Sequence, residues 1–179
     1  MDKTQWLMKS QIGPLYIVAS ANTLEGVYWS KQSAPLAKSL RSSAPSIKII
    51  SKTLRQLEEY FAGKRTHFDL PFDPPGTEFQ KQVWKELSRI PYGKTCSYAE
   101  LARKIGRDKA VRAVGTANGR NPLCIVVPCH RVIASSGSAG GYAGGPQAKS
   151  SLIKLEQQGE SRSTLLRRRE EASKIRSIQ

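Results

Sequence analysis

Hydrophobic and polar positions in the first part of the chain follow a strand period and then a helical period. The stretches Leu15–Val18 and Gly26–Trp29 are rich in β-branched and aromatic residues, and a short polar turn separates them. From Ile47, apolar side chains recur at helical spacing until Gly63, a natural helix stop. We therefore expect a β-hairpin over residues 13–29, followed by an amphipathic helix.

The clearest break in the pattern is segment 71–76, Pro-Phe-Asp-Pro-Pro-Gly, because its three prolines disfavour any regular helix or strand. We place a domain boundary there. The predicted organisation is an N-terminal α/β domain over residues 1–75, a mainly helical domain over 76–160 and a basic tail over 161–179. The tail is polar and charged, and its sequence leaves open whether it is a frayed helix or disordered.

Helix signals dominate the second domain. Residues 77–80 (Thr-Glu-Phe-Gln) and 97–100 (Ser-Tyr-Ala-Glu) have the form of capping boxes, which begin helices. A further helical segment, 110–118, follows the second of these after a glycine-containing turn. Two short helices joined in this way predict a helix-turn-helix. The apolar stretch 123–127 is typical of a buried strand, and a loop of small residues, 134–145, lies beyond it.

Composition and charge indicate the class of partner. The chain has 179 residues, a formal net charge of +15 and a pI near 10.0. This excess favours a polyanionic partner, although a solubilising surface would produce the same charge. The sequence contains no membrane-length apolar run and no signal-peptide pattern, and its three cysteines do not form a disulfide framework. We expect no membrane association and a cytoplasmic location.

Cys129 is the main candidate for chemistry, because it lies between Pro128 and His130 at the end of the apolar stretch. A free thiol titrates near pH ~8.5, and an adjacent base or positive charge makes the reactive thiolate available. From this residue alone, a buried structural cysteine is the alternative. For Cys124, inside the apolar stretch, we favour the structural interpretation.

The residues around Cys129, Val-Pro-Cys-His-Arg-Val-Ile over 127–133, closely resemble the active-site signature of the O6-alkylguanine-DNA alkyltransferases. Further matches follow the order and approximate spacing of that family over roughly residues 45–158. They are Tyr60–Gly63, Gly76–Gln80, Val83–Trp84, Ile90–Gly93, Ser97–Tyr98, Arg112–Gly115, Asn121–Pro122, Gly141–Gly145 and Lys149–Glu156.

The resemblance implies a ribonuclease-H-like α/β domain followed by an α-helical domain that carries the helix-turn-helix and the active-site cysteine. It also implies DNA repair by direct reversal, in which an alkyl group moves from O6-alkylguanine to Cys129 and inactivates the protein after one turnover. No cofactor is implied. Some members of the family bind zinc in the N-terminal domain, but here that region has no cysteine and one histidine, so we expect no metal.

Roles in the reaction also follow from the resemblance. His130 is expected to act as a base through a bound water, with Glu156 orienting its imidazole. Asn121 and Arg131 are expected to hold the active-site loop and Glu156 in place. Tyr98 is expected to donate to the leaving base and to lie against the phosphate of the target nucleotide.

On the DNA side, the resemblance implies a monomer that binds double-stranded DNA through the minor groove and extrudes the damaged base. Arg112 is expected to fill the space that the base leaves, while Ala113 and Gly115 allow close approach. Tyr98 and Arg131 are predicted as DNA contacts as well.

The pocket for the extruded base is expected to be formed by Val127, Pro128, Gly140, Tyr142 and Ala143. Cys124 stands where some relatives have proline, which leaves the width of the pocket open. The preferred alkyl group is also open, although Gly140 suggests room for a group larger than methyl.

Three other functions remain as alternatives. A lesion-binding protein without transfer would normally lack the cysteine. A transcription factor using the helix-turn-helix would need a further regulatory module, for which the chain has little room. A Cys/His hydrolase would need an acyl pocket and water as second substrate.

Overall fold

The fold joins an N-terminal part built on a sheet to a helical C-terminal part, as expected. The computed structural model describes residues 3–135 and 141–176, and their side chains over 3–135 and 141–161. The elements are β1 (Thr4–Ser10), β2 (Gly13–Ala19), β3 (Leu24–Tyr28), α1 (Pro45–Phe61), α2 (Glu78–Leu87), β4 (Cys96–Ser97), α3 (Tyr98–Lys104), α4 (Val111–Gly119), β5 (Val132–Ile133) and α5 (Gly145–Arg176).

The N-terminal sheet has the strand order β1-β2-β3, and both strand pairs are antiparallel. β2 and β3 confirm the predicted hairpin, since Leu15, Ile17 and Val27 are fully buried. β1 pairs with the whole of β2 but is not indicated by its sequence. Within it the polar Gln5 is buried, whereas Leu7 is 38% exposed.

Helix α1 confirms the predicted amphipathic helix and packs against β1 and β2. Ile50 and Leu57 are fully buried two turns apart, as the apolar spacing requires. Pro45 occupies the first turn, where a missing backbone N–H costs nothing, and Gly63 follows the helix with a φ of 69°. Near its C-terminal end this helix carries Tyr60, whose side chain is fully buried.

Both predicted capping boxes are present. At the start of α2, the Gln80 backbone N–H donates to Thr77 Oγ1 at 3.2 Å, and the Thr77 N–H donates to Gln80 Oε1 at 2.9 Å. At the start of α3, Ser97 and Glu100 make the equivalent pair at 3.1 and 2.6 Å. A short segment containing the 3₁₀ turn Asp108–Ala110 then leads into α4.

The apolar stretch 123–127 is not the strand that its composition suggests. Leu123 makes an isolated bridge to Val27, and the chain then reverses, with the Val127 N–H donating to Leu123 O at 2.8 Å. Ile125 adopts a φ of 74°, a left-handed conformation that ends any extended run. Because all five side chains are buried, the apolar run reflects an interior turn.

Helix α5 is the last element of the chain and packs against the 3₁₀ turn that contains the candidate cysteine. Its backbone continues through residues 161–176, so the tail is helical over that range. One hydrophobic core runs from the sheet through α1 and α2 to the buried turn at 123–127. Within the described ranges, none of the helices has both the length and the apolarity needed to cross a membrane.

Candidate active site

Cys129 lies at the first position of a 3₁₀ turn, Cys129–Arg131, and is 3% exposed. The turn follows Pro128, which fixes the direction in which the chain leaves the buried turn at 123–127. The Cys129 backbone N–H donates to Val127 O at 2.8 Å. A local hydrogen bond therefore fixes the backbone from which the Cys129 side chain projects.

Asn121 holds the buried turn in shape from within. Its Nδ2 donates to Val127 O at 2.8 Å, and its Oδ1 accepts from the Leu123 backbone N–H at 3.0 Å. The Asn121 side chain also lowers the pKa of Cys129. The structure thus brings Asn121 to the loop that sequence reasoning assigned to it.

The surroundings of Cys129 favour its thiolate. A hydrogen bond from the Cys124 side chain lowers the pKa of Cys129, and the Asn121 side chain and the Lys149 charge lower it further. Together these effects outweigh burial, which raises the pKa. Because the thiolate is the nucleophilic form, Cys129 is suited to attack an electrophilic carbon.

Glu156 on α5 is the centre of a buried hydrogen-bond network. Its Oε1 accepts from Tyr60 Oη at 2.7 Å and from His130 Nε2 and Arg131 at 2.9 Å each. Its Oε2 accepts from Arg131 Nε at 2.8 Å and from the Gly93 backbone N–H at 3.1 Å. The carboxylate is 1% exposed, so protein donors replace its hydration almost completely.

This network fixes the protonation states of the pair. Burial raises the pKa of Glu156, but hydrogen bonds from His130 and Arg131 outweigh it and lower the pKa to about 2. Burial, together with the charges of Arg131 and Lys149, lowers the pKa of His130 more than Glu156 raises it. The imidazole is therefore neutral at pH 7, and its Nε2 carries the proton that the carboxylate accepts.

The other imidazole nitrogen is the basic one. His130 Nδ1 is buried and has no hydrogen-bond partner among the described side chains and backbone. A neutral imidazole that donates from Nε2 keeps its lone pair on Nδ1. His130 can therefore accept a proton within the site, directly or through a water.

Tyr98 and Lys149 lie on the same side of the site. Tyr98 is the first residue of α3, and its ring centroid is 6.0 Å from Lys149 Nζ. Burial raises the pKa of Tyr98, and the charge of Cys129 raises it further. The phenol therefore keeps its proton at neutral pH and remains a potential donor.

The predicted pocket residues are only partly described. Val127 and Pro128 are buried, Ala143 is exposed, and Gly140 lies outside the described residues. The Tyr142 ring lies 6.5 Å from that of His130 and 5.8 Å from that of Trp29, both in edge-on contacts.

Two of the predicted DNA contacts have the exposure that the role needs. Arg112 and Ala113 are exposed on α4, and Gly115 is half-buried. A Cβ at Gly115 would meet the Tyr98 ring at an ordinary 3.8 Å. The small size of this residue is therefore not forced by packing inside the protein.

The position of Arg131 does not support the prediction that it contacts DNA, which stays a prediction. Its side chain is buried, and its guanidinium donates to both oxygens of Glu156 and to Ile90 O. This burial and the pairing with Glu156 disfavour a phosphate contact. The same geometry agrees with the other expectation for this residue, that it holds Glu156 in place.

Sequence reasoning missed several residues that shape the site. Tyr60 donates to Glu156 across 96 positions of sequence, and Trp29 packs on Tyr142 from the N-terminal sheet. Lys149 acts on Cys129 through its charge. Tyr60 and Lys149 both fall within matched motifs, but nothing in their local sequence distinguishes them from core or surface residues.

Comparisons with known proteins agree over nearly the whole chain. The model described as "6-O-methylguanine DNA methyltransferase, ribonuclease-like domain" matches residues 5–74. The model described as "6-O-methylguanine DNA methyltransferase, DNA binding domain" matches residues 78–158. The first confirms the expected class of the N-terminal fold.

Similar proteins and structures point the same way. A methylated-DNA–protein-cysteine methyltransferase from Methanosarcina barkeri is 45% identical over 154 residues, which cover 84% of this chain and 95% of that protein. The crystal structure of Mycobacterium tuberculosis OGT in complex with DNA has a TM-score of 0.75 at 40% identity, covering 87% of this chain and 94% of that one. With both halves matched and the site assembled, this chain belongs to the 6-O-methylguanine DNA methyltransferase family.

Proposed function

We infer that this protein repairs methylated DNA by moving a methyl group from O6-methylguanine to Cys129, once per molecule. The observation that carries the inference is the setting of Cys129: a buried thiol with a lowered pKa, followed by a neutral His130 held by an ionised Glu156. An ordinary thiol supplies little thiolate at neutral pH. Relatives that carry the methyltransferase name over most of their length support the same reaction.

The step is an in-line displacement at the methyl carbon. The Cys129 sulfur supplies the electron pair of the new S–C bond, while the bond from carbon to O6 breaks and its electrons leave with the guanine. Nδ1 of His130 takes the proton that leaves the thiol, through a water molecule. The phenol of Tyr98 then supplies the proton that the departing guanine needs.

Stoichiometry follows from the product. The new bond is a thioether, which water does not hydrolyse under ordinary conditions, so the thiolate is not regenerated. Each protein molecule therefore repairs one lesion and no cofactor is consumed. The protein is best described as a single-use transferase.

We further propose that α3, the turn after it and α4 act as a helix-turn-helix that approaches the minor groove, with the target base extruded. In this proposal Arg112 fills the space the base leaves, which its exposure on α4 supports. The net charge of +15 supports attraction to phosphates without sequence preference. Cysteines at 96, 124 and 129 are all free, which suits a monomer in a reducing cytoplasm.

The test is repair of a duplex that contains one O6-methylguanine, titrated with protein. We expect one lesion repaired per wild-type molecule, none by Cys129→Ala, and normal repair by Cys96→Ala. Cys96 is the matched control because it is another buried thiol. Repair by Cys129→Ala, or several lesions repaired per molecule, would contradict the proposal. Lesion binding by wild type without repair would instead favour the alternative of a non-transferring binding protein.

A further inference from the structure

Cys124 is a second thiol within the site, and the proposed reaction does not use it. Its side chain is 4% exposed, and it lies in the same buried, hydrogen-bonded turn as Cys129, which is 3% exposed. Cys124 Sγ also lies 3.9 Å from Asn121 O. Both sulfurs are free thiols in this structure.

The shape of the chain brings the two cysteines close together. The turn at 123–127 reverses the backbone, with the Val126 N–H donating to Cys124 O at 2.9 Å and the Cys129 N–H donating to Val127 O at 2.8 Å. The left-handed Ile125 makes this reversal possible within the five positions that separate the cysteines. Backbone hydrogen bonds therefore hold the two cysteines in one compact turn.

We propose that Cys124 is the resolving thiol of Cys129, so that a hydroperoxide converts the pair into a reversible disulfide. This regulation rests on the proposed function, because it acts on the thiol that would accept the methyl group. Oxidation would withhold the nucleophile from DNA, and reduction would return it. A single-use nucleophile would in this way be kept from irreversible oxidation.

The chemistry balances in two steps. The Cys129 thiolate attacks a peroxide oxygen, the O–O bond breaks, and hydroxide or alkoxide leaves and takes up a proton, giving a sulfenic acid. The Cys124 sulfur then attacks the sulfenyl sulfur, forming the S–S bond and releasing water with the Cys124 proton. An external dithiol supplies the two electrons and two protons that restore both thiols.

The order of the steps follows from the electrostatics of the pair. Cys129 is the thiol with the lowered pKa, so it is the one that meets the oxidant as thiolate. The pKa of Cys124 is raised, first by its hydrogen bond to Cys129, then by burial and by the Cys129 charge. Once Cys129 is a neutral sulfenic acid that charge is gone, and Cys124 loses its proton more readily.

The experiment is peptide mass spectrometry of the reduced full-length protein after a brief exposure to hydrogen peroxide. For wild type we expect a Cys124–Cys129 link with the loss of two hydrogens, and recovery of methyl transfer after dithiothreitol. For Cys124→Ala and Cys124→Ser we expect sulfinic and sulfonic acid at Cys129, and no recovery. Cys96→Ala serves as the matched control and should behave as wild type.

Overoxidation of Cys129 at the same rate in wild type and in both Cys124 variants would overturn the proposal, as would a link through Cys96. The serine variant keeps a hydrogen-bond donor beside Cys129 but cannot form a disulfide. If it too fails to recover, the missing disulfide is the cause and not a missing hydrogen bond. Detection of the Cys124–Cys129 link is also independent of the proposed function. A wild-type protein that forms the link but never accepts a methyl group would refute the transferase and leave the disulfide standing.

Discussion

Replacing Glu156 by glutamine tests the buried network directly. The carboxylate accepts hydrogen bonds from Tyr60, His130, Arg131 and the Gly93 N–H. Glutamine has nearly the same shape but only one accepting oxygen, and its NH₂ group would face one of these donors. The substitution also leaves the buried guanidinium of Arg131 without its counter-charge.

The size of the effect follows from the pKa of Glu156. A fall from 4.5 to about 2 corresponds to about 3 kcal/mol in favour of the ionised form, at ~1.4 kcal/mol per unit. Removing one partner of a buried ion pair costs about 3–5 kcal/mol in general, which agrees. In a domain of this size, 1 kcal/mol moves Tm by roughly 2–4 °C, so we expect a fall of roughly 6–12 °C.

Urea unfolding at pH 7 and at lower pH is the assay. The folded-state pKa of Glu156 is lowered, so its stabilisation is complete above the unfolded value and is lost as pH falls from about 4.5 towards about 2. His130 has the same sign, because its folded-state pKa is also lowered and its contribution disappears as pH falls below about 6.5. Wild type should therefore lose stability in acid more steeply than Glu156→Gln.

A double-mutant cycle makes the test specific. Arg131→Met combined with Glu156→Gln removes both charges. The double variant should therefore lose less free energy of unfolding than the sum of the losses of the two single variants. The reasoning about this network is wrong if the free energy of unfolding of Glu156→Gln at pH 7 is within about 1 kcal/mol of the wild-type value. It is also wrong if the losses of the two single variants simply add.

Three further changes test other parts of the account. Asn121→Ala removes the amide that fixes the buried turn, so we expect the free energy of unfolding in urea to fall by about 2–4 kcal/mol. The pH dependence of Cys129 alkylation by iodoacetamide should also shift to higher pH, and an unshifted profile would contradict this. Gly93→Ala places a Cβ at a φ of 76°, 2.7 Å from Glu160 Oε2, so its Tm should fall by an amount equivalent to about 1–3 kcal/mol, and an unchanged Tm would refute the strain. Arg112→Ala should change stability by less than about 0.5 kcal/mol, since the residue is exposed, and should slow transfer from a duplex by roughly tenfold or more without slowing transfer from a free O6-alkylguanine base. Equal slowing on duplex and free base would exclude a role in base extrusion.

Elements with local signals could be predicted from the sequence. The capping boxes at 77–80 and 97–100 and the apolar spacing of α1 each lie within a few residues, and the structure confirms all three. β1 could not be predicted, because one of its two buried residues, Gln5, is polar and is satisfied by bonds to a distant loop, from Gln5 Nε2 to Gln32 O and Ala34 O. The stretch 123–127 was misassigned because apolar composition reports burial and not backbone direction.

Some residues of the candidate site could likewise be predicted from the sequence, and others could not. Cys129 and His130 are neighbours in sequence, and Glu156 and Asn121 came from matched motifs, so the structure brings together residues already identified. Tyr60 and Trp29 reach the site from the N-terminal part, and no local pattern marks such contacts. Arg131 illustrates a limit of local sequence patterns: an arginine beside a nucleic-acid site suggests phosphate binding, whereas this one is buried against a carboxylate. Domain boundaries near 75 and 160 stay predictions.

The central claim is that Cys129 accepts the methyl group, and mass spectrometry of the reacted protein tests it most directly. After incubation with a duplex bearing one O6-methylguanine, the account predicts one added methyl group per molecule, located on the Cys129 peptide. Cys129→Ser should show no added mass under the same conditions. A methyl group on Cys124 or Cys96, or a repaired duplex with an unmodified Cys129, would contradict the account.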